Sequence, residues 1–212
     1  MPAVRNGVFG CLGVMLLFFG ACKRDVPPPP PATTASPATA PATKRVVGPL
    51  NEADAKALAT MNDRLKVYVE FHRKIEKTLP KLPDQATPQQ IDSNQRMFEK
   101  LMRKERMSAK RGDIFTPEAE AVIKRLLASV FGGPDGKQLK ASIMDENPVG
   151  LKLAVNGRYP DSVPISSVPP QVLQTLPALS EDMEYRFIGD NLILLDSHAH
   201  VIADFIPDVF PK

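Results

Sequence analysis

The sequence predicts an α+β fold, in which three to four helices are followed by a small antiparallel β-meander. Apolar residues recur with helical spacing across residues 50–146. After Asn147 the pattern changes to short apolar runs that are separated by turn residues. Proline and glycine mark most boundaries between these segments, because proline cannot continue a helix or a central strand.

The first helix is expected to begin after Asn51, whose side chain can accept a hydrogen bond from a backbone N–H group of the first turn. Apolar residues then follow helical spacing as far as Leu79. Leu79-Pro80 ends this pattern, because the residue before a proline is disfavoured in the α conformation. His72 lies on the apolar side, so we expect a packed or boundary histidine rather than a catalytic base.

The next two helices each begin with a Thr-Pro pair. Thr87-Pro88 is followed by Gln90, which completes a capping box, and Pro88 suits the first helical position. This second helix is expected to fade near Arg111-Gly112. Thr116-Pro117 opens the third helix in the same way, and Gly132-Gly133-Pro134 is a strong stop signal.

The remaining elements are short. A fourth helix is expected over residues 135–145, a strand over residues 151–155, and a helix of one or two turns from Ser167 through Leu176. The last segment predicts three antiparallel strands joined by two turns: strands 183–188, 192–195 and 201–206, with turns at 189–191 and around 197–199.

Residues 1–21 have the pattern of an export signal. Arg5 supplies a positive charge, and residues 8–19 form an uncharged run that is shorter than the ~20 residues of a membrane-spanning helix. Gly20-Ala21-Cys22 follows, with Phe19 at the position where leucine is usual. This stretch resembles the lipobox of bacterial lipoproteins. The resemblance implies that Cys22 receives a diacylglyceryl group and that the peptide is cleaved before it.

The resemblance also implies a location in the bacterial cell envelope. Lys23 rather than aspartate follows the cysteine, which favours the outer membrane, facing the periplasm, in two-membrane bacteria. Export would separate the protein from nucleic acid, so the expected partners are the membrane, through the lipid at Cys22, and an envelope protein. The alternatives are an ordinary cleaved signal peptide or an uncleaved anchor.

Residues 22–49 are expected to form a proline-rich linker. Five consecutive prolines, Pro27 to Pro31, favour polyproline II, and the segment would reach roughly 50–80 Å if extended. The alternative is disorder without a required length. Cys11 lies in the expected signal and Cys22 carries the lipid, so no thiol remains for a disulfide, a metal or nucleophilic catalysis. No cofactor is expected.

The charges are distributed unevenly between the helical region, residues 50–146, and the small α/β region, residues 147–212, which we expect to pack as one domain. Residues 44–146 contain 20 Lys and Arg against 15 Asp and Glu, whereas residues 147–212 contain 4 against 8. This asymmetry indicates either two solvated faces or a basic surface for an acidic partner. The basic segment 100–111 could contact anionic headgroups, or it could be a solvated helix face.

Asp196, His198 and His200 are the best candidates for a metal site. Residues two apart in a strand share a face, so the three could converge on a divalent cation together with Asp204. They also lie where a hairpin turn is expected, and turn residues need no further function. The sequence shows no pattern typical of a catalytic site.

A non-enzymatic interaction or scaffold module of the envelope is therefore the leading hypothesis. One alternative is a metal-binding or metal-dependent hydrolase domain centred on Asp196, His198 and His200. The other alternative is an envelope chaperone or carrier of apolar ligands.

Mass spectrometry of the mature chain tests the anchor. We expect the N-terminal residue to be Cys22 with a diacylglyceryl group on its sulfur, because the preceding residues match a lipoprotein signal. A mature N-terminus at another residue, or an unmodified thiol at Cys22, would contradict this expectation.

Overall fold

Helices precede a three-stranded antiparallel sheet along the chain, which confirms the predicted α+β class. This computed structural model describes residues 50–145, 147, 152–161, 163 and 167–211, all within one unit, Thr43–Lys212. The expected signal, Cys22 and the linker lie outside the described residues. The elements are α1 (Glu52–Glu76), α2 (Pro88–Glu105), α3 (Pro117–Phe131), α4 (Gly136–Asp145), α5 (Pro170–Leu173), β1 (Met183–Ile188), β2 (Asn191–Asp196) and β3 (Val201–Ile206).

The first three helices begin at the predicted capping residues. The side chain of Asn51 accepts a hydrogen bond from the backbone N–H of Asp54 at 2.8 Å. Thr87 and Gln90 form both hydrogen bonds of the predicted capping box. Thr116 caps α3 through one hydrogen bond, which its hydroxyl accepts from the backbone N–H of Ala119. These contacts satisfy backbone donors that have no partner within the helix.

The predicted end of α2 near Arg111-Gly112 is wrong, because the helix stops at Glu105. The chain instead turns so that backbone N–H groups of Gly112, Ile114 and Phe115 reach the buried carboxylate of Asp204. Gly112 adopts a φ of +90°, a conformation that glycine tolerates better than other residues. A continuing helix would have used these N–H groups in its own hydrogen bonds.

The sheet is a meander with strand order β1-β2-β3. β1 and β3 have their predicted bounds, and β2 is one residue longer at each end than predicted. The predicted strand at 151–155 is wrong over its described residues, 152–155, and Leu151 lies outside them. The adjoining residues 156–159 pair with β3 instead, through hydrogen bonds from Asn156 N to Ile202 O and from Tyr159 N to His200 O, both 2.8 Å.

The two faces of the sheet pack against different parts of the chain. Alternate residues of β2 point to opposite faces, so Leu192 and Leu194 belong to the main core while Ile193 and Leu195 belong to a second cluster. The main core contains residues of α1, α2 and α3, including Phe98 of α2. No helix among the described residues is long and apolar enough to cross a membrane.

We predict that Asp204→Asn destabilises the protein by about 2–4 kcal/mol. Two carboxylate oxygens of Asp204 accept backbone hydrogen bonds, and the amide nitrogen of asparagine would face N–H donors. Urea unfolding measures the change, and Asp84→Asn on an exposed loop is the control. Equal stability of the two variants would contradict the role given to Asp204.

Candidate metal centre

The site begins with a stripe of polar side chains on α1. Tyr68, His72 and Glu76 follow one another at four-residue spacing, so they lie on the same side of the helix. Tyr68 and His72 are buried, whereas Glu76 lies at the C-terminal end of the helix and is partly exposed. This side of α1 faces the turn between β2 and β3.

Asp196 at the end of β2 joins α1 to that turn. Its Oδ2 accepts a hydrogen bond from the Tyr68 hydroxyl at 2.8 Å and lies 2.7 Å from Nδ1 of His72. Its Oδ1 accepts the backbone N–H of Ala199 at 2.8 Å, which closes the turn. The side chain of Asp196 is fully buried, and these contacts compensate for the desolvation of its charge.

His72 carries a buried ring nitrogen without a hydrogen-bond partner among the described residues. Because Asp196 binds Nδ1, the neutral imidazole places its proton there and leaves a lone pair on Nε2. Nε2 makes no hydrogen bond, and Oδ1 of Asp182 lies 3.9 Å from it. In metal sites, a carboxylate commonly binds one ring nitrogen of a histidine while the other ring nitrogen coordinates the metal.

Asp182 and His198 lie beside this nitrogen because Ser197, the residue before His198, is hydrogen-bonded to the backbone of Asp182. Ser197 donates hydrogen bonds from its backbone N–H and its hydroxyl to the carbonyl oxygen of Asp182, at 3.1 and 3.2 Å. Arg73 binds Oδ2 of Asp182 at 3.2 Å, so Oδ1 is the oxygen turned toward His72. The ring of His198 is parallel to that of His72, with 6.1 Å between centroids.

His72, Asp182 and His198 each offer one ligand atom, and these atoms lie within 4.8 Å of one another. Zinc bonds of about 2.0–2.2 Å in a tetrahedral site would place neighbouring donors roughly 3.3–3.5 Å apart. The three donors therefore need a small contraction to bind one ion. His198 can supply it, because its side chain is 66% exposed on a turn.

An aromatic ring and a second carboxylate lie beside the three donors. The ring of Phe98 packs edge-on against both histidines, with centroid distances of 4.9 Å to His72 and 6.5 Å to His198. Nδ1 of His198 lies 3.0 Å from Oε1 of Glu76, a second carboxylate beside a candidate ligand. His198 is exposed at the surface, whereas the side chain of His72 is fully buried.

The four residues proposed from sequence do not meet at one point. Asp196 orients His72 and is not itself in the donor group, whereas His198 is. His200 lies 3.8 Å from Asp161 and packs against Tyr159, and Asp204 binds backbone N–H groups. The strand alternation that would have aligned them fails, because residues 197–200 form the expected turn.

Sequence reasoning missed two members of the donor group. His72 is buried as predicted, but its partners come from residues more than 100 positions away. Asp182 carried no distinguishing signal next to the start of β1. The four-residue spacing of Tyr68, His72 and Glu76 on an otherwise apolar helix side was the available clue.

No family model, no curated protein and no solved structure matches this chain.

In the metal-free protein we predict that stability falls as pH rises above about 6.5. Burial lowers the pKa of His72, but the hydrogen bond and charge of Asp196, with Asp182 and Glu76, outweigh burial and raise this pKa. A raised pKa stabilises the folded state fully below the unfolded value, and this contribution is lost as pH rises through the folded value.

Urea unfolding in the presence of a chelator measures this dependence. His72→Gln should flatten it, while His200→Gln in the nearby turn should not. A pH dependence that His72→Gln leaves intact would contradict the assignment to His72.

Proposed function

We propose that the folded unit binds one divalent transition-metal ion through His72, Asp182 and His198, with zinc as the first candidate. The observation that supports this most is the buried Nε2 of His72, which lacks a hydrogen-bond partner among the described residues and faces Asp182. Imidazole and carboxylate are ligands that zinc accepts in proteins. Asp196 holds the other nitrogen of His72, as carboxylates do behind metal-binding histidines.

The charges around the donors suit a divalent ion. Asp182, Asp196 and Glu76 contribute three negative charges, and Arg73 contributes one positive charge. With neutral imidazoles, the local balance of −2 is what a divalent ion neutralises. A proton on His72 would offset part of this charge, so protons and metal compete for Nε2 and metal affinity should increase with pH.

The donor set favours an exchangeable site over a closed structural one. Structural zinc sites generally have four protein ligands, often cysteines, whereas this centre offers three donors without a thiol. One of the three, His198, is on an exposed turn.

We propose that the protein is an envelope lipoprotein, held through Cys22, that takes up a metal ion outside the cytoplasm. The support for the anchor is the signal-like pattern of residues 1–25.

Binding alone, without a reaction, is proposed.

Zinc titration against a chromophoric chelator tests the proposal. We expect one zinc ion per chain, with at least ~100-fold weaker binding in His198→Ala and in Asp182→Asn, because even outer-shell substitutions cost about 10–100-fold. His200→Ala is the matched control, since it removes a histidine from the same turn but from outside the donor group. Its affinity should equal that of the unchanged protein.

Thermal unfolding provides an independent measurement. Zinc at about 100 times its dissociation constant should stabilise the protein by about 2.7 kcal/mol. At the same zinc concentration the stabilisation of His198→Ala should fall to about 0.4 kcal/mol or less, because its binding is at least ~100-fold weaker. The absence of zinc binding at neutral pH, or equal binding by His198→Ala and the unchanged protein, would refute the site.

A further inference from the structure

An open groove of about 690 Å³ runs along α2, where the helix faces residues 154–157. We call it the basic groove, because four cationic side chains line it and one acidic side chain accompanies them. The cations are Arg96, Lys100, Arg103 and Lys104, and the acid is Glu99. The metal donors are not among its lining residues.

The acid in the basic groove is already paired. Glu99 binds Arg103 at 3.0 Å and Arg158 at 2.7 Å, so its charge is more than offset. Within the part of the chain that the structure describes, Lys100 and Lys104 form no ion pair within 4.0 Å. Arg96 pairs with Asp92 at 2.9 Å and with Asp161 at 3.4 Å. The positive charge that the groove leaves uncompensated is therefore that of Lys100 and Lys104.

An exposed apolar side chain lies at the same place. Met107 lines the basic groove just beyond the end of α2, and it is 82% exposed. An apolar residue among lysines and arginines is typical of peripheral contact with a membrane, where cations meet anionic headgroups and apolar side chains enter the interface. Methionine is also enriched at protein–protein interfaces, so the choice of a lipid occupant rests on the anchor at Cys22.

We infer that the basic groove docks the folded unit on anionic phospholipid headgroups, with Met107 entering the interface. The inference goes beyond metal binding and rests on the anchor part of the proposed function. A chain fastened at Cys22 carries a linker of residues 23–49, whose length permits the groove to reach the bilayer. Tethering raises the local concentration of the surface, so a weak electrostatic contact suffices.

The test uses the acylated full chain, reconstituted into vesicles of phosphatidylethanolamine and phosphatidylglycerol. Met107→Cys is labelled with an environment-sensitive fluorophore, and Val67→Cys on an exposed part of α1 is the control position. Once Cys22 is acylated and the signal removed, the introduced cysteine carries the only free thiol. We expect a blue shift and quenching by a lipid-attached quencher at position 107 but not at position 67.

The charge requirement is tested with matched variants. Lys100→Gln with Lys104→Gln should abolish the shift at position 107, whereas Lys56→Gln with Lys74→Gln on α1 removes the same charge and should preserve it. Vesicles of phosphatidylcholine alone, or high salt, should also abolish it, because the contact is electrostatic.

Three other results would overturn the inference, and each of them has a different consequence for the anchor. If the label at position 107 shows no blue shift on anionic vesicles, although mass spectrometry finds Cys22 acylated, docking is refuted and the anchor is not. An unmodified Cys22 refutes the anchor and the docking together, while zinc binding is unaffected. A shift produced by a soluble acidic protein and not by the vesicles would assign the basic groove to a protein partner instead.

Discussion

The arrangement of the candidate metal donors depends on the hydrogen bonds of one buried carboxylate, that of Asp196. A buried charge without partners is strongly destabilising, so its burial requires donors from separate parts of the chain. Tyr68 and His72 supply them from α1, and the backbone of Ala199 supplies one from the turn. One side chain therefore fixes the contact between helix and sheet, the shape of the turn, and the ring nitrogen of His72 that is left without a hydrogen bond.

Asp204 satisfies its burial in a different way. It accepts hydrogen bonds from backbone N–H groups of the segment after α2 and of its own strand, and it is not among the candidate metal donors. Other acids of the C-terminal region contact basic residues of the helical region, as in Asp161 with Arg96 and Asp182 with Arg73. Some of the opposite charges that the sequence separates therefore pair within the fold.

The sequence was most informative where the determinants are local. Capping by Asn51, Thr87 and Thr116 needs residues only three positions apart, and the helix starts were predictable for that reason. The end of α2 was not, because its last carbonyl groups accept hydrogen bonds from Asn156 and the segment after it binds Asp204, both of which are distant in sequence.

The same distinction applies to the candidate site. The turn that carries His198 follows from local polar residues, whereas the meeting of His198 with His72 and Asp182 needs the tertiary packing of α1 on the sheet. Strand alternation suggested His200 as a third ligand, and the turn directs that ring toward Asp161 instead. The edge pairing of residues 156–159 with β3 was likewise invisible in the sequence, because it depends on long-range partners.

We propose that one metal ion binds between His72 and His198. A long-range ¹H–¹⁵N correlation spectrum of the imidazole rings, recorded before and after one equivalent of zinc, can test this binding ring by ring, because the chain contains three histidines. We expect His72 with its proton on Nδ1 and zinc on Nε2, a zinc-bound nitrogen in His198, and an unchanged His200. If zinc left the ring signals of His72 and His198 unchanged, or changed only those of His200, the proposed metal site would be wrong.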